Sequence, residues 1–279
     1  MKRRGVKIRS QSEIQRIYTL NESYFDSIDT EEKAYILGLL YADGCNYTVR
    51  GAITLTQSEK DKDILDKVAD SIGSNAPIRC DKFDMQLDGR LSRYKLCVTS
   101  KHMSQKLAEL GCVNAKTYVL TFPMWLDKSL YNHFIRGYFD GDGHVGLRGS
   151  VSSFNITSTL SFCESLNEIF IDNCGTSSCQ IDTRHPERNN NIRTLRKCGN
   201  HEIIKILNYL YYDSTIHLQR KYNKYKEVLH MLHERDNRQE RKCNICNFRH
   251  YAQGYCNKHY YEFCGGKEKR HDRFINTRK

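Results

Sequence analysis

No apolar run in this 279-residue chain approaches the ~20 residues needed to cross a bilayer, and no secretion-signal pattern opens it. A soluble, intracellular protein with no membrane partner is expected. Proline is scarce, at three residues, so little interrupts the periodic segments. An acidic excess is also missing: the formal net charge is +11. Residues 1–9 carry five basic and no acidic side chains, and residues 234–279 carry twelve basic and six acidic. Residues 10–233 balance at 27 of each. A neutral body with basic extremities suits a polyanion gripped by the ends and selected by the body; a solubilising charge excess is the alternative. Cysteine, by contrast, is plentiful, with twelve residues scattered mostly singly. Without a secretion signal, reduced buried thiols or metal ligands fit them better than a disulfide scaffold.

The length allows one large domain, or two modest ones with an appendage. A repeat decides between these. The first copy opens with a helix-like stretch, Glu32 to Ala42, ending in Asp43-Gly44. GAITLTQ follows at strand period, then a helix carrying Ile64, Leu65, Val68 and Ile72 and closing on Gly73. Strand-like runs at 77–87 and 94–99 precede a helix from His102 to Leu110. The second copy repeats the order: helix 130–139 ending in Asp142-Gly143, GSVSSFNIT, helix 160–171, strands near 179–183 and 191–197, helix 201–211. A last helix spans about 218–233. The expected class is α+β, with two pseudo-symmetric αββαββα halves plus a small C-terminal zinc-binding module. The expected boundaries are a basic arm at 1–21, halves at 22–124 and 130–233 joined through WLDKS, and the module at 234–279.

The strongest signal is a pair of segments, ILGLLYADG at 36–44 and IRGYFDGDG at 135–143. Gly38 and Ala42, like Gly137 and Gly141, stand four apart and leave one helix face bare, so that two backbones can pack closely. Glycine within a helix costs ~1 kcal/mol against alanine, so something must offset it. Asp43 and Asp142 close the two helices, where partial negative charge already gathers. A shared divalent cation would remove that conflict, and hard oxygen ligands suit Mg²⁺. Carboxylates, metal and a phosphodiester are the parts of metal-assisted hydrolysis. An Asp-Gly turn after each helix is the plainer alternative.

These segments resemble the two motifs of the monomeric LAGLIDADG homing endonucleases. The resemblance implies a pseudo-twofold fold in which each half lays a curved antiparallel sheet in the DNA major groove. It also implies that the last acid of each motif, Asp43 and Asp142 here, binds metal at the cleavage site. GCVNAKTYVLTFP at 111–123 and LYYDSTIHLQRKYNKY at 210–225 resemble the segments that close each half. Each holds a lysine similar to the family's basic residue near the scissile phosphates, Lys116 and Lys221; ordinary surface lysines are the alternative. A lysine there would stabilise charge building on the phosphate. Gln57 resembles a family residue that positions solvent, and Ser158 holds the equivalent place. The likeness covers about 22–233 and departs at Tyr41, where the motif has an acid that Asp140 keeps in the second copy. The loose match between halves implies a long, imperfectly palindromic double-stranded DNA site and a monomeric protein.

Strand alternation points Thr54, Thr56, Ser153 and Asn155 outward, and Arg93 and Lys95 share a face. With Arg193 and Arg196 they form the candidate base-reading set, since such side chains can hydrogen-bond base edges. In the tail, Cys243, Cys246, Cys256 and His259 have the C-x2-C-x9-C-x2-H spacing of a tetrahedral Zn²⁺ site, with Cys264 left over. GYCNKHY is similar to small zinc modules of mobile-element and phage nucleases. KRRGVKIRS at the start is either a basic arm or the end of a helix-turn-helix.

The combined expectation is a site-specific, Mg²⁺-dependent double-strand DNA endonuclease of the homing type, with structural Zn²⁺ in its tail. A non-cleaving nucleic-acid binder on the same fold, such as an intron maturase or transcription regulator, is the alternative. No splice-junction residues are evident, which points to a freestanding enzyme and not an intein.

Overall fold

The computed structural model describes residues 17–81, 92–183, 191–236, 242–246, 248 and 251–264. The basic start of the N-terminal arm and the strand-like run beyond Asp81 lie outside them. Two compact units divide the chain, Met1–Leu229 and His230–Lys279.

Within the first unit, helix α1 (Glu31–Asp43) starts where the Thr30 side chain accepts from the Lys33 amide at 3.3 Å, with Glu31 and Glu32 in its first turn. Ala34 to Tyr41 are all buried, so the helix is central and not a surface amphipath. Its counterpart α4 (Tyr131–Asp142) is buried in the same way from Phe134 to Asp140. The intervening elements are β1 (Gly44–Tyr47), β2 (Ala52–Ser58), α2 (Asp63–Ser71), β3 (Arg79–Asp81), β4 (Arg93–Thr99) and α3 (Lys101–Glu109). After α4 come β5 (Gly143–Arg148), β6 (Val151–Thr159), α5 (Leu160–Cys174), β7 (Gln180–Thr183), β8 (Ile192–Lys197) and α6 (Asn200–Tyr211). Helix α7 (Gln219–Asp236) follows. Each half is therefore αββαββα, the duplication that the paired motif implies.

The sheets are antiparallel, in the orders β1-β2-β4-β3 and β5-β6-β8-β7. On one face Ile53, Leu55, Leu96 and Val98 are buried, and in the second half Phe154, Ile156 and Leu195. Helices cover those faces with Leu65, Val68 and Leu107, and with Phe162, Leu166 and Leu207. The opposite faces carry polar side chains.

Gly44 and Gly143 do not make turns. Both are extended (φ −80° and −92°) and begin strands directly after the helix. A Cβ on Gly44 would fall 2.6 Å from the Leu40 carbonyl oxygen, and one on Gly143 at the same distance from that of Phe139. Glycine is required there by the tight departure from the helix, which displaces the simple Asp-Gly turn reading.

Helices α1 and α4 pack side by side. A Cβ added to Gly38 would collide with the Phe134 carbonyl oxygen and lie 2.9 Å from the Tyr138 nitrogen. One added to Gly137 would meet the Tyr35 carbonyl oxygen and lie 2.9 Å from the Leu39 nitrogen. The contacts are reciprocal, as about a twofold axis. Side chains then pin the halves. Asp140, buried where the first half has Tyr41, accepts from the hydroxyls of Tyr35 (2.8 Å) and Tyr211 (2.6 Å) and from the Leu218 amide (2.7 Å). Fully buried Arg136 donates to the Ile216 and Leu210 carbonyls and pairs with Glu31 at 2.6 Å. Arg220 makes a two-pronged pair with Asp61, at 3.1 and 3.0 Å.

Candidate active site and metal centre

The reciprocal glycines bring the C-terminal ends of α1 and α4 together, and with them Asp43 and Asp142. A Cβ on Gly141 would touch that of Ala42 and lie 3.0 Å from Asp43 Oδ2. Small residues at 42 and 141 thus leave room for the carboxylates to approach. Burial raises the Asp142 carboxyl, the Asp43 charge raises it further, and Lys116 and Lys221 only partly oppose them, leaving it at about 6. Burial also raises Asp43, against the Gln57 hydrogen bond and the same two lysines. Each carboxylate is favoured more by the lysine of the opposite half: Asp43 by Lys221, Asp142 by Lys116.

The two sides are not equivalent. Gln57 Nε2 donates to Asp43 Oδ2 at 2.8 Å. Ser158, its counterpart, does not hold Asp142; its hydroxyl accepts from Tyr138 at 3.0 Å. The Tyr138 hydroxyl also reaches the Thr157 carbonyl at 3.1 Å, and the ring lines the cavity beside Asp142. A serine is too short for the span that glutamine covers. A cavity of about 380 Å³ opens beside Asp142, lined also by Tyr138, Lys116, Asn155, Thr157 and Ser158. It joins the carboxylate to the polar face of β6.

Lys116 donates to the Gly44 carbonyl and Lys221 to that of Gly143, equivalent positions in the two motifs. Lys221 is further committed to the Phe139 and Asp140 carbonyls, where it offsets the negative end of α4. It is 3% exposed, and burial lowers its ammonium to about 8 although Asp140 and Asp43 hold it charged.

Thr54 and Thr56 lie on the polar face of β2, and Ser153 and Asn155 on that of β6. Lys95 pairs in register with Thr56 and Arg93 with Ser58. Arg196 stands opposite Asn155 and shares its face. Arg193 does not. It stands opposite Ser158 and is offset by an odd number of residues from Arg196, so strand alternation sets the two arginines on opposite faces. Thr194, opposite Thr157, shares the face of Arg196 but is buried, with the two threonine hydroxyls 3.4 Å apart.

In the second unit, the Cys243, Cys246, Cys256 and His259 ligand atoms all lie within 4.8 Å of one another. The three sulfurs are 3.2, 3.5 and 3.5 Å from His259 Nδ1, and Cys246 and Cys256 sulfurs are 3.7 Å apart. A tetrahedral zinc site requires about 3.8 Å between sulfurs and about 3.5 Å from sulfur to nitrogen, so the group fits. Gly254 (φ +87°) makes the turn before the second ligand pair, and its carbonyl accepts from the Asn244 amide at 2.8 Å. Cys256 then begins the short helix α8 (Asn257–Phe263), which carries His259. Cys264 caps its far end and is not part of the cluster.

No family model matches the sequence, and no curated protein matches it. Solved structures do. The chain is similar to full-length DUF199/WhiA from Thermatoga maritima, at 15% identity and TM-score 0.51, over 92% of this chain and 72% of that one. It also matches the I-LtrWI LAGLIDADG homing endonuclease bound to target DNA, at 14% identity and TM-score 0.49, covering 79% and 94%. A third match is the LAGLIDADG homing endonuclease I-GzeII in complex with DNA target, at 12% and 0.47, covering 76% and 94%. The likeness to WhiA is one of fold. Among the described residues no helix is long and apolar enough to cross a membrane.

Proposed function

We propose that the protein is a site-specific, divalent-metal-dependent DNA endonuclease. The observation that carries this reading is the meeting of Asp43 and Asp142 at the ends of two helices packed glycine to backbone, between two sheets with polar faces. Burial raises both carboxyls and the Asp43 charge raises Asp142 further, which suits a site that binds a cation, and their hard oxygens fit Mg²⁺. A bound divalent ion would activate water and polarise the phosphodiester. Asp43, steadied by Gln57, and Asp142 would hold it. Lys116 lines the cavity and would meet charge developing on the phosphate. Lys221 acts from behind the carboxylates, through Asp43 and the α4 carbonyls.

Thr54, Thr56, Arg93, Lys95, Ser153, Asn155 and Arg196 are the proposed base-reading set, without Arg193. Their unequal chemistry in the two halves fits an imperfectly palindromic duplex read by one chain. The Cys₃His group is proposed to hold structural Zn²⁺, with domain limits near residues 22, 124, 130 and 233. An intracellular setting and a mobile-element origin belong to the same reading.

A non-cleaving binder on this fold is the competing reading, and commitment of Lys221 to main-chain carbonyls favours it. Incubation with a randomised duplex library and Mg²⁺, followed by sequencing of cut ends, separates the two. Asp43→Asn and Asp142→Asn are each expected to abolish double-strand cleavage while leaving binding within a few-fold. Full cutting by either variant would overturn the assignment.

A further inference from the structure

Residues 243–263 contain six aromatic side chains: Phe248, Tyr251, Tyr255, Tyr260, Tyr261 and Phe263. So small a module has every reason to turn them inward, because little else is available to make a core. Tyr260 does so, at 7% exposure. Phe248 at 75%, Phe263 at 56%, Tyr251 at 53% and Tyr261 at 48% do not.

The open rings are braced. Tyr251 and Tyr261 stack with centroids 6.1 Å apart and planes 30° from parallel, and Tyr260 meets each of them edge-on. Phe263 leans on Tyr255 at 5.7 Å and on the ligand His259 at 6.1 Å. Closure of a metal site on His259 would therefore hold Tyr251, Tyr261 and Phe263, and little of their ordering entropy would remain to be lost on binding. Exposed Lys242 and Lys258 flank the ligand cluster, within a segment of twelve basic against six acidic residues. Fixed flat apolar faces among cations match one ligand chemistry, unpaired bases carried on a phosphate chain. Paired duplex DNA hides its base faces. An uncharged protein partner could use the rings but would bring no counter-charge to Lys242 and Lys258 beside them.

We propose that the C-terminal module is a stacking platform for unpaired bases of single-stranded nucleic acid, formed by Phe248, Tyr251, Tyr261 and Phe263. This inference is independent of phosphodiester cleavage; a chain that never cuts could still satisfy it.

The test uses the full chain and fluorescence anisotropy with dye-labelled ten-nucleotide oligothymidylate, oligouridylate and an abasic strand of equal charge. At least one base-bearing strand should bind tenfold or more tightly than the abasic strand, and the tighter of the two identifies DNA or RNA. Phe248→Ala and the pair Tyr251→Ala, Tyr261→Ala should each lose about tenfold of that preference, with zinc content unchanged. Tyr251→Phe with Tyr261→Phe should retain it, because stacking does not need the hydroxyls. Equal affinity for all three strands would overturn the proposal whatever the variants do. So would an unaltered preference in zinc-loaded alanine variants, or loss of self-association in place of strand binding, which would mark a protein-docking surface.

Discussion

At Asp142, burial and the Asp43 charge act in the same direction. A carboxyl raised to about 6 in the fold, from ~4 in an unfolded chain, binds its proton more tightly when folded. The metal-free protein should therefore lose stability as pH rises from ~4 through about 6, and no more beyond. A cation held by both acids must displace that proton. Mn²⁺ affinity, followed by electron paramagnetic resonance, is expected to weaken about tenfold per pH unit below 6 and to level off above it. Affinity constant from pH 5 to 7.5 would remove Asp142 as a ligand. Asp43 and Asp142 were visible in the sequence through their place in a repeated motif, and Gln57 only through its resemblance to a family residue. Tyr138 was not: it stands where Leu39 stands and reads as another apolar helix position, yet its hydroxyl reaches Ser158 and the Thr157 carbonyl, and it lines the cavity beside Asp142.

For the helix pair, glycine is compulsory because partner backbone occupies the space a side chain would take. Gly137→Leu should cost several kcal/mol, about 3 or more, since the obstacle is the Tyr35 carbonyl and cannot rotate away. Gly141→Leu should cost a similar amount and also push Asp43 aside. Differential scanning calorimetry checks both, and unchanged melting temperatures would remove this pair from the centre of the fold. The helices and most strands were legible because apolar residues recur at 3.6 or 2 and caps mark the ends. Strands β1 and β5 were obscured, since Asp-Gly reads as a turn and only the close approach to Leu40 and Phe139 shows otherwise. Arg193 and Arg196 look alike in composition; only register separates their faces.

Over the whole chain, the basic excess falls outside the balanced body, so affinity and chemistry should be separable. A chain ending near His233 is expected to keep its cleavage pattern, bind duplex more weakly and show a shallower dependence on salt, because fewer counterions are released. Mass spectrometry should find one zinc per full-length chain, and a zinc-selective chelator should unfold the tail alone. A zinc-free tail, or a folded truncation that cuts nothing, would refute this division. The body itself carries a safeguard against mispairing. The glycine contacts between α1 and α4 are made to backbone, so two copies of the second half could repeat them: Gly137 would simply meet another Phe134 and Tyr138. The pins would not survive the exchange. At the motif spacing of 99 residues, Leu130 stands where Arg136 now finds Glu31, and Phe134 where Asp140 now finds Tyr35. Such a self-pair would bury a guanidinium with no carboxylate and a carboxylate short of a donor. Backbone fit makes the halves compatible with themselves, and buried charge makes each prefer the other, which keeps a tethered duplication from reverting to a pair of identical subunits.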